Sequence, residues 1–125
     1  MRAIFALAAV FASLAGCNSS NNPALVAYAV RTGGDATRGT EVIQQYGCGA
    51  CHTIPGVRGA KGLVGPPLLW WSRRTFIGGE LPNTPENLVS WLRNPQAIEP
   101  HTAMPALGLT DQQARDVAAY LYTLR

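Results

Sequence analysis

The sequence predicts an all-α domain over residues 34–125, and three observations carry that prediction. Apolar residues recur at helical spacing in three stretches, each behind a recognisable N-cap. No stretch shows the alternation of a half-buried strand, and no internal repeat appears. Between the first and second helical stretches lies the run Cys48-Gly49-Ala50-Cys51-His52.

That run has the spacing C-x-x-C-H, which reads as a c-type haem attachment site. Two thiols so placed reach the two vinyl groups of one porphyrin and form thioether bonds. The adjacent His52 imidazole is a good axial ligand for iron. Three other readings are weaker. Structural zinc wants four ligands in two separated pairs, and only Cys17 and His101 lie outside the run. A thioredoxin-like redox pair needs a βαβ pattern, which is absent. A Cys48–Cys51 disulfide in an exported protein is the third.

At 125 residues the chain holds one domain at most. Ten basic against seven acidic residues, with Lys61 the single lysine, is too weak a bias for nucleic acid binding. Thirteen glycines and nine prolines make a loop-rich fold that struggles to bury enough apolar surface by itself. A porphyrin at the centre would enlarge that core. Residues 1–16 read as an export leader: Arg2 supplies the positive end, and Ala3 to Leu14 are too few to span a bilayer. Leu14-Ala15-Gly16-Cys17 resembles the lipobox of bacterial lipoproteins, which implies an acylated Cys17 as first mature residue. An ordinary cleaved leader or an uncleaved anchor is the alternative. Residues 17–33 are then lipidated Cys and linker. Asn18 to Asn22 form a polar leash, and Ala24 to Val30 are more apolar than a leash requires.

In the domain, Asp35 caps a helix expected over 36–47, with Val42, Ile43 and Tyr46 on one face. Gly39 inside it costs about 1 kcal/mol against Ala, which suggests close approach of another helix. Residues 53–65 are loop. The carbonyl of Pro66 is placed to accept from His52 Nδ1–H, which would fix the tautomer and sharpen the other nitrogen as a ligand. Leu68 to Trp71 supply apolar bulk in a short helix to Arg74, with both tryptophans read as core. Arg73 and Arg74 suit a propionate geometrically, and equally suit a solvated surface. Thr84-Pro85-Glu86 starts a second helix that ends near Arg93, with Leu88, Trp91 and Leu92 apolar. The Trp91 indole N–H needs an acceptor, and a propionate is the candidate. Residues 94–109 hold Pro95, Pro100 and Pro105 and little regular structure. Met104 is the candidate sixth ligand, since Met1 leaves with the leader; a core gap-filler role for Met104 and ligation by His101 or Lys61 are alternatives. Thr110 and Gln113 form a capping box for a last helix, 111–124, with Ala114, Val117, Ala118, Leu121 and Tyr122 or Leu124 inward. Its small Ala118 and Ala119 would let it cross over Gly39.

With Cys48–His52, Gly65-Pro66-Pro67-Leu68, Trp91, Met104 and a capped terminal helix in this order, residues 34–125 resemble class I cytochromes c. The resemblance implies a cytochrome c fold, with N- and C-terminal helices crossing around one covalent haem c. It implies Cys48 and Cys51 as anchors and His52 and Met104 as axial ligands. Pro66 would bond His52, Leu68 would touch the porphyrin, and Trp91 with Arg73 or Arg74 would meet the propionates. The lysine-poor surface departs from the lysine-ringed mitochondrial proteins. The chain is also similar to small cytochromes associated with bacterial haem-copper oxidases. This implies an exported, lipid-anchored carrier on the outer face of the cytoplasmic membrane, between a quinol-oxidising complex and a terminal oxidase. A cytochrome subunit of a periplasmic oxidoreductase, for example in sulfur-compound oxidation, and a haem-based gas sensor are the rival functions.

Overall fold

The computed structural model describes Pro23 and residues 31–125, so the leader, Cys17, the polar leash and the apolar stretch 24–30 lie outside the described residues. Among the described residues the domain is framed by α1 (Ala36–Gln45), α2 (Pro85–Arg93) and α3 (Asp111–Thr123). Three 3₁₀ turns, Cys48–Ala50, Trp71–Arg73 and Pro95–Ala97, punctuate the loops. A hairpin pairs β1 (Phe76–Ile77) with β2 (Leu81–Pro82), antiparallel with Ile77 opposite Leu81.

Asp35 caps α1 by accepting from the N–H groups of Thr37 and Arg38 at 2.8 and 2.9 Å. The helix stops at Gln45, short of the expected 47, because Gly47 swings into the left-handed region at φ 68°. Cys48 is therefore delivered by a separate 3₁₀ turn and not by the helix end itself. α2 starts as expected, with the Thr84 hydroxyl accepting from Asn87 N–H at 3.3 Å and Pro85 in the first turn. α3 opens with the reciprocal Thr110–Gln113 capping box. Leu88, Val89, Trp91 and Leu92 of α2 and Ala114, Val117, Ala118, Leu121 and Tyr122 of α3 are buried in one core with Val42 and Ile43 of α1.

α1 and α3 cross tightly. A Cβ on Gly39 would lie 2.1 Å from the Asp116 carbonyl oxygen and 3.0 Å from Tyr120 Cβ, so only glycine admits the crossing. The atoms nearest to such a Cβ belong to Asp116 and Tyr120, four residues apart on one face of α3. Ala118 and Ala119 are fully buried. Asp116 is 3% exposed. Its carboxylate accepts from Asp35 N–H at 2.7 Å, Arg38 Nε and a second guanidinium nitrogen at 3.1 Å each, and Gln112 Nε2 at 3.0 Å. Burial pulls the Asp116 pKa up. The bonds from Arg38, the Asp35 backbone and Gln112 outweigh burial and hold it below the ordinary carboxylate value.

Two features differ from the sequence reading. The β1–β2 hairpin was not expected, since two-residue strands are too short to show alternation. The helix expected to run to Arg74 is one 3₁₀ turn, entered through Trp70 at φ 50°, an uncommon conformation for a bulky residue.

Candidate functional site

An apolar-walled cavity of about 630 Å³ opens between the helices and the loops that join them. Its size suits a single ligand of cofactor dimensions. Ile43 of α1, Leu88, Trp91 and Leu92 of α2, and Val117 and Leu121 of α3 form its inner wall. Cys48, Cys51, His52, Pro66, Leu68, Arg74, Trp91 and Met104 all line it. The sequence-predicted residues thus meet in one place, with one exception. Arg73 is exposed and is not a lining residue, because the 3₁₀ turn sends only its neighbour Arg74 to the cavity.

Each group is fixed locally. Cys48 opens the 3₁₀ turn and Cys51 closes it, both with free, part-buried thiols, and Cys51 and His52 N–H both return to Cys48 C=O. Burial pushes the Cys48 thiol pKa up. The His52 Nδ1 lies 2.7 Å from the Pro66 carbonyl. A carbonyl only accepts, so Nδ1 carries the proton and Nε2 keeps its lone pair for a metal. Gly65 lets the loop pass that close, since a Cβ there would sit 2.3 Å from His52 Cε1. Met104 is pinned by Gln96 Nε2–H to its carbonyl at 2.8 Å and by its own N–H to Thr102 Oγ1 at 3.3 Å. His101 also lines the cavity, on the exposed side of the same loop.

Two tryptophans, Trp91 and Trp71, stand in the cavity wall. Trp91 Nε1–H donates to Met104 Sδ at 3.2 Å. Trp71, read from sequence as plain core, is 5% exposed, and its Nε1–H has no partner. It is the one such buried side-chain atom among the described residues, and it sits in the cavity wall. Arg74 stacks over the same indole at 5.2 Å and donates to the Pro67 carbonyl. Asn83, which sequence reasoning missed, holds this turn in place. Its Nδ2 donates to the carbonyls of Trp71 and Arg74 at 3.0 Å each, and its Oδ1 accepts from the Tyr122 hydroxyl at 2.9 Å. Its position just before the Thr84 cap was the only sequence signal.

These residues fit a haem c. Two thiols stand one turn apart, an imidazole has a free nitrogen, and a thioether completes an axial pair. An orphaned N–H beside a guanidinium offers what a carboxylate needs. The described residues hold no cluster of three or more His, Cys, Asp or Glu suited to a metal ion bound by protein alone.

Comparison with known proteins agrees. The cytochrome c family model matches residues 36–125. Cytochrome c oxidase subunit 2 of Alkalihalophilus pseudofirmus is 32% identical over 91 residues, which cover 72% of this chain and 26% of that protein. The Bacillus sp. (strain PS3) subunit 2 is 32% identical over 89 residues, 68% of this chain and 25% of the relative. The Bacillus subtilis subunit 2 is 28% identical over 94 residues, with 72% and 26% covered. The chain thus spans about a quarter of the length of these relatives. A match that begins at the first residue of α1 and runs through α3, around a Cys48–Cys51 spacing suited to covalent haem c, shows that the chain belongs to the cytochrome c family, whose members are electron carriers rather than catalysts.

Proposed function

We propose that this chain is a monohaem carrier of single electrons, tethered by an acylated Cys17 to the outer face of a bacterial cytoplasmic membrane. It takes electrons from a quinol-oxidising complex and delivers them to a haem-copper oxidase. The observation that carries the reading is the convergence of the Cys48–His52 turn and Met104 on one apolar cavity. The relatives named as oxidase subunits support the acceptor side.

When bound, haem c supplies an iron that changes by one electron between ferrous and ferric states. The chain does the rest. Cys48 Sγ and Cys51 Sγ would anchor the macrocycle covalently. His52 Nε2, oriented by the Pro66 carbonyl, and Met104 Sδ would hold the iron. The Trp91 N–H holds the sulfur in position. Trp71 Nε1–H and Arg74 serve the propionates, while Leu68 and the helix faces exclude water. With His52 and Met104 both given to the iron, the chain would keep substrates from it and exchange electrons with a transiently docked partner.

The test uses the purified, exported full chain. Colour that stays with the denatured polypeptide, a low-spin ferric spectrum with a Met–iron charge-transfer band, and slow carbon monoxide binding are expected. Host membranes lacking the gene should oxidise the reduced protein with matching oxygen uptake. A high-spin ferric form with rapid carbon monoxide binding would favour the gas sensor and remove the carrier reading.

A further inference from the structure

Three backbone carbonyls of the segment 71–75 end on one residue. Asn83 Nδ2 donates to the carbonyls of Trp71 and Arg74 at 3.0 Å each, and Asn83 N–H donates to Thr75 C=O at 2.9 Å. Chemistry alone fixes which way the amide faces. A carbonyl only accepts, so both hydrogens of Nδ2 are used on the two carbonyls and Oδ1 is left to accept. It does so from the Tyr122 hydroxyl at 2.9 Å. Tyr122 is buried, and that burial pushes its phenol pKa up to about 12, so the hydroxyl stays a donor at neutral pH. Ser72, between the two held carbonyls, is tied to the end of α3. Its N–H and its hydroxyl both donate to Leu124 C=O, at 3.0 and 2.9 Å.

The turn held in this way carries the two donors of the cavity wall. The buried Trp71 Nε1–H has no partner, and the Arg74 guanidinium stacks on the same indole at 5.2 Å. Both residues line the cavity, whereas Asn83 does not. The turn is entered through Trp70 at φ 50°, a conformation that a bulky residue keeps only where its surroundings impose it. Asn83 and Leu124 are those surroundings. Asn83 also occupies the Trp71 and Arg74 carbonyl oxygens, so neither is left free to repel an anion brought to the donors beside them.

We propose that Asn83 is the positioning residue of a carboxylate site made by Trp71 and Arg74: from behind the wall it holds the indole N–H and the guanidinium together on the cavity side. The inference rests on the haem reading above, since a propionate is the carboxylate that a haem brings to this wall. Two donors, one of them charged, favour an ionised carboxylate over a neutral one. Asn83 therefore acts on the cofactor's charge without touching the cofactor. Without it the turn is free to leave its strained entry, and the two donors part.

The experiment measures reduction potential against pH for the haem-loaded full chain and for Asn83→Leu, a neutral substitution of similar size. Both are repeated in a Trp71→Phe/Arg74→Gln background, which lacks the two donors. An ionised propionate favours ferric iron, so the potential steps down as that group loses its proton. In the otherwise wild-type chain, Asn83→Leu should move this step to higher pH by at least about one unit. In the background without the donors it should move the step by less than about a third of a unit, because nothing is left for Asn83 to position. Glu99 and His101, which also line the cavity, are the same in every variant. Tyr122→Phe removes only the hydroxyl that orients the amide and should give a smaller shift of the same sign. That milder variant decides the matter if Asn83→Leu does not fold. An equal shift in both backgrounds would show that Asn83 acts on the fold at large and would overturn the proposal. So would an unmoved step in Asn83→Leu, or in Tyr122→Phe where it stands alone, with the haem reading left intact. A wild-type chain that holds no covalent haem would remove both.

Discussion

An indole N–H that leaves water without finding an acceptor costs about 1–3 kcal/mol, and Trp71 carries one in the cavity wall. A donor to a charged carboxylate is worth about 1.5–3 kcal/mol. Trp71→Phe keeps the ring and removes the donor. The haem-loaded variant should lose stability in about that range by urea titration, and the pH dependence of its reduction potential should move as one carboxylate loses its donor. Unchanged stability and an unchanged potential–pH profile would show that the indole serves packing alone. Trp91→Phe removes the N–H that holds Met104 Sδ at 3.2 Å. Its expected signature is different: a weakened Met–iron band and carbon monoxide binding about tenfold faster, since about 1.4 kcal/mol is a factor of ten. The sequence marked the need of the Trp91 N–H for an acceptor, and the structure brings Met104 Sδ within its reach. The acceptor depends on how the proline-rich segment 94–105 brings Met104 back over α2, and spacing along the chain does not encode that path. The Pro66–His52 bond was legible because a proline carbonyl soon after a ligating histidine has few other uses.

The crossing of α1 over α3 shows how local signals add up to a fixed geometry. Both N-caps and the capping box were readable because they depend on side chains within four residues. The helix end at Gly47 and the β1–β2 hairpin were not, since a left-handed glycine and two-residue strands leave no periodic trace. Gly39 predicted the close approach but not its partner, and the partner turned out to be the Asp116 carbonyl. Gly39→Ala should therefore destabilise by about 1–3 kcal/mol, the usual cost of overpacking, although alanine is the better helix former. A gain in denaturation midpoint would contradict the crossing as described. Asp116 supplies the pH dependence of the same junction. Its folded pKa is depressed, so its contribution is complete above the unfolded carboxylate value of about 4. That contribution disappears as pH falls through the lower folded value. Asp116→Asn should cost about 1–3 kcal/mol at pH 7, and the difference from wild type should close below about pH 4. A constant difference down to pH 2 would mean that the amide disturbs packing and not charge.

About half of the buried hydrophobic residues face the cavity: Ile43, Ile54, Trp71, Ile77, Leu88, Trp91, Leu92, Val117 and Leu121 are both buried and lining. The helices touch one another chiefly at the α1–α3 crossing and along α2–α3, and elsewhere the walls are held by loops rich in glycine and proline. Core void costs about 2 kcal/mol per 100 Å³, against a total stability of about 5–15 kcal/mol for a domain. A guest of cofactor size is therefore a structural member of this fold as much as its redox centre. Covalent attachment keeps it there through every fluctuation that opens the loops. Cys48→Ser/Cys51→Ser removes both anchors while leaving each helix, cap and crossing contact intact. Expressed without the cofactor, this variant should keep part of its helical signal through α3 and its capping box. It should lose fixed aromatic packing by near-ultraviolet circular dichroism, bind an apolar dye, and unfold without a cooperative urea transition. Added free haem should restore part of the cooperativity through His52 and Met104 alone, and a further His52→Ala substitution should abolish that rescue. A cooperative transition in the haem-free variant, with native aromatic signals, would show that the helical frame closes over the cavity unaided. The cofactor would then be a passenger in a finished fold and not part of its core.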